Sequence, residues 1–329
     1  MKVKFPKYYK NFACIGESCT DNCCIGWEID IDPKTRERYR CVGGELGERM
    51  KKSIADEEGQ SHFILCGERC PFLNEKNLCD IIIGIGKVGL CDICRLHPRY
   101  FSRFGEIAFG GVGLCCEAAA ELILSEDTEH TYCDFDFDEV FDDEYDEEIF
   151  ELISGKKQAL VDIMRDNSLN IGERLELLMS EAERIQTKID GFEGSCDALK
   201  KVTLYEYFDS LEHLDGELMG LLKKCEGARK KPLTSEQTRY VSNFAIYFID
   251  RYFCEGARDG DIIGKVAFAV LSSALFALLL TSDGDSSLSR AVHIAKCYSK
   301  EIEYSEENVE RIMTESEALY LAKELLQRI

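Results

Sequence analysis

The 329 residues carry 62 acidic against 40 basic side chains, a formal charge of −22. Such a surface repels nucleic-acid phosphate and anionic lipid and attracts basic protein segments, so neither nucleic acid nor a membrane is expected as a partner. A hydrophobic fraction of 45% with 10% aromatics supports packed cores and excludes wholesale disorder, and the length suits two ordinary domains or one large one.

The opening residues, Met1 to Gly16, hold charge but no apolar stretch of the kind a secretory signal needs. A cytoplasmic, reducing location is therefore expected. Of 17 cysteines, 13 lie between Cys14 and Cys133. Clustered thiols in a reducing compartment point to metal ligands or redox groups rather than to disulfides.

Three zones follow in chain order. Residues 1–125 combine most of the cysteines with short, interrupted apolar runs, and are expected to form a cysteine-rich metal domain of short elements. Residues 126–150 read as an acidic linker: Glu126–Glu151 carries 14 carboxylates interleaved with Phe and Tyr, and no Lys or Arg occurs from Phe104 to Gly155. That run is a solvated linker or a docking strip for a basic peptide. Residues 151–329 are expected to be all-α, making the protein mainly α.

In that last zone Leu175, Leu178, Met179 and Ala182 repeat at three and four, as do Leu204, Tyr207, Phe208 and Leu211. Further helices are expected near 235–254, 262–281, 287–303 and 306–328, the first opened by a Thr234/Gln237 capping box. The apolar stretch Val266–Thr281 is shorter than the roughly 20 residues of a membrane span, and reads as a buried core helix. Cys196, Cys225, Cys254 and Cys297, isolated among these helices, read as packing residues. His62, His130, His213 and His293 read as surface or core residues.

The chemistry lies in the cysteine order. Cys14, Cys19, Cys23 and Cys24 open the chain; Cys70 and Cys79, then Cys91 and Cys94, then Cys115 and Cys116 follow. Ligation needs sulfurs that converge to about 2.3 Å from a metal, and the two-residue gap of Cys91 and Cys94 lets a tight turn aim both at one centre. Cys19, Cys23, Cys24, Cys70, Cys79, Cys91, Cys94 and Cys115 form the pool of candidate ligands. Zinc modules usually show two CxxC pairs, and this chain has one such pair with irregular spacing around it. That favours an iron–sulfur cluster, taken as 4Fe–4S, with zinc as the alternative.

Several blocks resemble the flagellin lysine-N-methylase family, and a broader group of zinc- or iron-chelating proteins with a CxxCxxCC-type motif. They are Cys19–Asp32 (CTDNCCIGWEIDID), Cys70–Leu73 with Cys79, Leu90–Cys94 with His97–Arg99, and Cys115–Ala119 leading to Leu122–Leu124. Tyr247–Phe253 and Asp259–Asp261 are similar to features of the same family in the helical half. The first block departs from the broader group in its spacing, and Cys116 stands where that pattern has proline. The resemblance implies N-methylation of lysines on flagellin, or another lysine-bearing protein, with S-adenosylmethionine as donor.

Such a reaction needs a neutral amine, whereas lysine has a pKa of about 10.4. Glu28, Asp30 and Glu117, each close in sequence to candidate ligands, are the expected catalytic carboxylates; each also reads simply as an exposed acid or a helix cap. Asp30 and Asp32 fit the period of a short strand. Gly84-x-Gly-x-x-Gly89 matches a dinucleotide-loop pattern but has no room for the helix that should follow, so it reads as a turn. Two rival classes remain: a non-enzymatic zinc scaffold that docks basic proteins, and an electron carrier.

Overall fold

The computed structural model describes residues 2–26, 28–57, 59–134, 144–191, 199–225, 232–282 and 284–329. The chain is mainly helical and divides into two compact units, one of residues 13–100 with 116–118, the other of residues 1–12, 101–115 and 119–329. Its described strands are β1 (Lys2–Pro6), β2 (Asp30–Ile31), β3 (Ile54–Glu57), β4 (Gln60–Phe63), β5 (Arg99–Phe104), β6 (Ile107–Val112) and β7 (His130–Asp134).

The smaller unit is cysteine-rich. Its sheet runs β2-β4-β3, antiparallel throughout. Helix Pro33–Arg40 starts at Asp32, whose side chain accepts from the Thr35 N–H, with proline at the first helical position where a missing donor costs nothing. Helix Gly44–Lys52 follows, and the short helices Asp80–Ile85 and Asp92–Leu96 come later. Ile29, Ile31, Tyr39, Met50, Phe63 and Phe72 form the core, together with Cys70 and Cys91.

The larger unit begins with the first strand of the chain. β1 buries Val3 and Phe5 on one face and pairs in parallel with β6 and antiparallel with β7, in a sheet ordered β5-β6-β1-β7. Gly110 permits this packing: a Cβ there would lie 2.4 Å from the Phe5 ring. The division thus differs from the one expected at residue 125. Residues 1–12 and 101–115 pack with the helices because β1 and β6 belong to one sheet. Nor is 126–150 wholly a linker: His130–Asp134 is β7, and Glu147 opens a helix capped by Asp146. Residues 135–143 of the acidic run lie outside the described residues.

Helix Ile262–Ser282 is the centre of this unit. Helices Ile171–Asp190, Ser235–Tyr252 and Ser316–Leu326 pack against it, and 94% of its apolar window is buried, as a helix apolar on all sides requires. Its two inner hydroxyls are satisfied: Ser272 and Ser273 donate back to the carbonyls of Phe268 and Ala269. The Thr234/Gln237 capping box is present. The expected helix 306–328 is two helices, Glu306–Thr314 and Ser316–Leu326, because Glu315 takes an extended conformation.

Among the charges buried here are those of Asp250 and Glu303. Asp250, 7% exposed, meets His130 at 3.0 Å and Lys157 at 3.2 Å. Burial opposes its charge, but Lys157 and His130 outweigh that and hold its carboxyl below the usual range. Glu303 accepts from the hydroxyls of Tyr247 and Tyr252 and pairs with Arg251 at 2.9 Å. The Tyr247–Phe253 segment singled out in the sequence is therefore bound through its polar side chains into the helical core.

Candidate metal centre and its surroundings

Six of the eight candidate ligands meet inside the cysteine-rich unit. The backbone brings them there. The N–H of Cys70 donates to the carbonyl of Cys24 (2.9 Å) and that of Gly26 to Glu68 (2.9 Å), which ties the first block to the second. Leu73 bridges Cys79, and the Asp80 N–H donates to the Phe72 carbonyl at 2.8 Å, closing the loop between Cys70 and Cys79. Asn74 holds the same loop by accepting from the N–H groups of Lys76 and Leu78 and donating to Asp80. Arg49 clamps it from outside, reaching Asp80 and the Pro71 carbonyl at 2.7 Å each and lying over the Phe72 ring. The third block is tied in by Asp32, whose second oxygen accepts from the Asp92 N–H at 2.9 Å.

The sulfurs affect each other strongly. A hydrogen bond with Cys23, then burial, then the sulfurs of Cys70 and Cys79 push the Cys24 thiol far up. Cys94 is raised in the same way by its bond with Cys91, by burial and by Cys24 and Cys70, while that bond lowers Cys91. Burial pushes Cys70 up to about 11. Against this, backbone N–H groups are aimed at the sulfurs: Phe72 and Leu73 at Cys70, Ile81 and Ile82 at Cys79, and Cys94 at Cys91.

This donor set fits a cysteine-ligated metal group on three counts. Mutual repulsion and burial penalise thiolates that a cation would neutralise. N–H groups directed at sulfur stabilise coordinated thiolate. The Tyr39 hydroxyl is buried without a hydrogen-bond partner, and burial followed by Cys91, Cys94 and Cys79 raises its pKa, so an unsatisfied polar atom faces the same space. Among the described residues no three of these sulfurs come within 4.8 Å of one another. One tetrahedral zinc would need separations near 3.8 Å, given Zn–S bonds of about 2.3 Å.

The remaining candidates sit elsewhere. The Cys19 thiol lies 3.7 Å from Glu117, and the Thr20 N–H and hydroxyl also donate to that carboxylate. Glu117 therefore holds the first block in place. Cys115 is buried and belongs to the larger unit. Asp30 is exposed on β2, opposite His62 of β4. Asp32 has left the strand to cap its helix, so the two acids do not share a face. Glu28 is exposed and lies 3.7 Å from His62. Gly84–Gly89 spans the end of helix Asp80–Ile85 and a single 3-10 turn, without the strand that a dinucleotide loop requires. Trp27 lies outside the described residues.

Sequence reasoning missed a shallow cleft of about 430 Å³ beside Glu28, lined also by Ala55, Glu57, His62, Phe63, Ile64 and Leu65. Its residues come from strands that pair only after folding; the run His62–Leu65 was the one available signal.

Residues 197–323 match the family model described as the FliB lysine N-methylase C-terminal domain. A flagellar biosynthetic protein, FliU, of Salmonella muenchen is 26% identical over 134 residues, 38% of this chain and 78% of that protein. Lysine-N-methylases of Salmonella choleraesuis and Salmonella typhimurium are each 27% identical over 139 residues, again 38% of this chain but 33% of their own length. The chain thus covers about a third of those two relatives. No solved structure matches. The resemblance drawn from the cysteine blocks is joined by one in the helical half, and together the findings support the flagellin lysine-N-methylase family.

Proposed function

With that family as premise, we propose that the chain is a lysine N-methyltransferase that acts on flagellin or a similar lysine-bearing protein. The match of residues 197–323 to the lysine N-methylase domain carries this reading. We further propose S-adenosylmethionine as the methyl donor and a 4Fe–4S cluster in the cysteine-rich unit. Cys23, Cys24, Cys70, Cys79, Cys91 and Cys94 are its nearest ligand pool, with Cys19 of the same unit in reserve. The single CxxC pair and the irregular spacing of the other cysteines along the chain are what favour a cluster over a single zinc. When bound, such a group supplies either a Lewis-acidic iron able to anchor the amino acid part of the donor, or a rigid anchor for the surrounding loops.

The chain's own residues supply the rest. The cleft beside Glu28 suits a lysine side chain: Phe63, Ile64 and Leu65 offer apolar contact to its stem, and Glu28 and Glu57 attract its ammonium. His62, 3.7 Å from Glu28, is our choice of base for the ammonium proton. The freed nitrogen lone pair then forms a bond to the donor methyl carbon as its bond to sulfur breaks, leaving the electron pair on sulfur. Asp30, beside His62 in the sheet, adds negative charge at the same edge. Glu117 acts as a positioning residue through Thr20.

The test is transfer of labelled methyl from S-adenosylmethionine to purified flagellin by the whole chain, prepared without oxygen, with iron, sulfide and zinc counted. Label on lysine, lowered about a hundredfold in Glu28→Gln or His62→Gln, is the expected result. Failure to label flagellin by cluster-loaded protein that binds the donor would overturn the reading. Colourless protein carrying zinc alone would remove the cluster and leave the methyl transfer to be judged by the label.

A further inference from the structure

Helix Leu288–Ile302 places His293 and Cys297 one turn apart on one face. Helix Glu217–Cys225 packs against it and begins with Glu217 at the same point. That start is held firmly: the Glu217 N–H donates to Asp215 at 2.8 Å, and the N–H groups of Asp215 and Gly216 donate to Glu301 at 3.0 and 3.2 Å. One ligand atom from each of Glu217, His293 and Cys297 lies within 4.8 Å of the others. The Cys297 sulfur is 3.8 Å from the imidazole nitrogens, and Nε2 of His293 is 3.6 Å from Glu217.

These separations resemble the edges of a tetrahedron. With bonds of about 2.3 Å to sulfur and about 2.1 Å to nitrogen and oxygen, the edges around one zinc are roughly 3.4–3.6 Å. We propose that Glu217, His293 and Cys297 form a zinc site in the helical unit, with a fourth position open to water. A thiolate, an imidazole and a carboxylate suit zinc, whereas calcium and magnesium take oxygen ligands and have no use for the sulfur. Cys297 is buried while the side chains of His293 and Glu217 are 36% and 54% exposed, so the open position faces solvent.

The surroundings agree with this. Burial lowers the His293 pKa, helped by Arg290, Lys296 and Lys224, which keeps the imidazole neutral and its lone pair available. Read from the sequence, His293 and Cys297 were a surface or core residue and a packing residue. The i, i+4 spacing was visible, but Glu217, 76 residues before His293, was not connected to it.

This site is independent of the methyl-transfer reading, and its test does not use activity. The whole chain, His293→Gln and Glu217→Gln are equilibrated with micromolar zinc, and bound zinc is counted, the cysteine-rich unit being the same in all three. The wild type is expected to hold one more zinc per chain than His293→Gln, and Glu217→Gln to bind that zinc about tenfold more weakly. Zinc should also shift the ring nitrogen resonances of His293 in the wild type. Equal zinc uptake by all three proteins with unmoved His293 resonances would overturn the proposal. If His293→Gln misfolds by circular dichroism, Glu217→Gln decides the matter alone, since its side chain is exposed: unchanged affinity overturns the site and weakened affinity supports it.

Discussion

The two units hold their chains in different ways. In the helical unit one apolar helix, Ile262–Ser282, is covered on several sides by others, and the buried charges of Asp250 and Glu303 are each met by named partners. Its backbone hydrogen bonds run inside helices and along the β5-β6-β1-β7 sheet, and its stability comes from apolar area removed from water. In the cysteine-rich unit the loops between sulfurs are fixed by isolated bridges, by Asn74 and by the Arg49 clamp. Its core contains thiols that repel one another when charged. If that unit holds the proposed metal group, a cation among its thiols would add to its stability, a contribution that apolar packing makes in the helical unit.

The largest expected effect breaks the comparison open. Chelating the metal from anaerobic protein should destabilise residues 13–100 by on the order of several kcal/mol. Limited proteolysis should then cut within that unit while the far-ultraviolet helical signal largely remains. Simultaneous loss of both would mean that the helical unit also depends on metal.

Next comes Asp250→Asn, which leaves Lys157 buried without its counter-charge. A loss of about 3–5 kcal/mol in denaturant unfolding is expected, with metal content unchanged. A smaller effect belongs to the other unit. Arg49→Met removes the bonds to Asp80 and Pro71 while keeping apolar contact with Phe72. About 1–2 kcal/mol should be lost, and metal should dissociate faster because the Cys70–Cys79 loop is freed.

The smallest is a pH effect. The bond to Glu301 raises the His213 pKa above its ordinary value. Its contribution is therefore complete below the unfolded pKa of about 6.5 and lost as pH rises through the folded value. The stability gap between wild type and His213→Gln should accordingly be measurable at pH 5.5 and shrink at higher pH. A gap that does not change with pH would show that the His213–Glu301 pair contributes by packing alone.

Much of the helical half was legible because its signals are local. The spacing of Leu175, Leu178, Met179 and Ala182 and the Thr234/Gln237 box both describe real helices. The cysteine blocks likewise stand out by residue type. The division of the chain was less legible, since pairing β1 with β6 joins residues about a hundred apart and nothing local marks it. The acidic run similarly concealed β7, whose partner lies at the other end of the first zone.

By itself the sequence determined that the protein is mainly helical, that its apolar stretch makes one long helix, and that thiols are concentrated before residue 134. Periodicity and residue type act over a few residues, and both survive in any fold. Only the tertiary structure decided which sulfurs meet, that Glu117 serves Thr20, that Glu28 and His62 share a cleft, and that Glu217 joins His293 and Cys297. Each of these depends on chain segments distant in sequence being brought within a few ångströms, which is a property of packing and not of any local pattern.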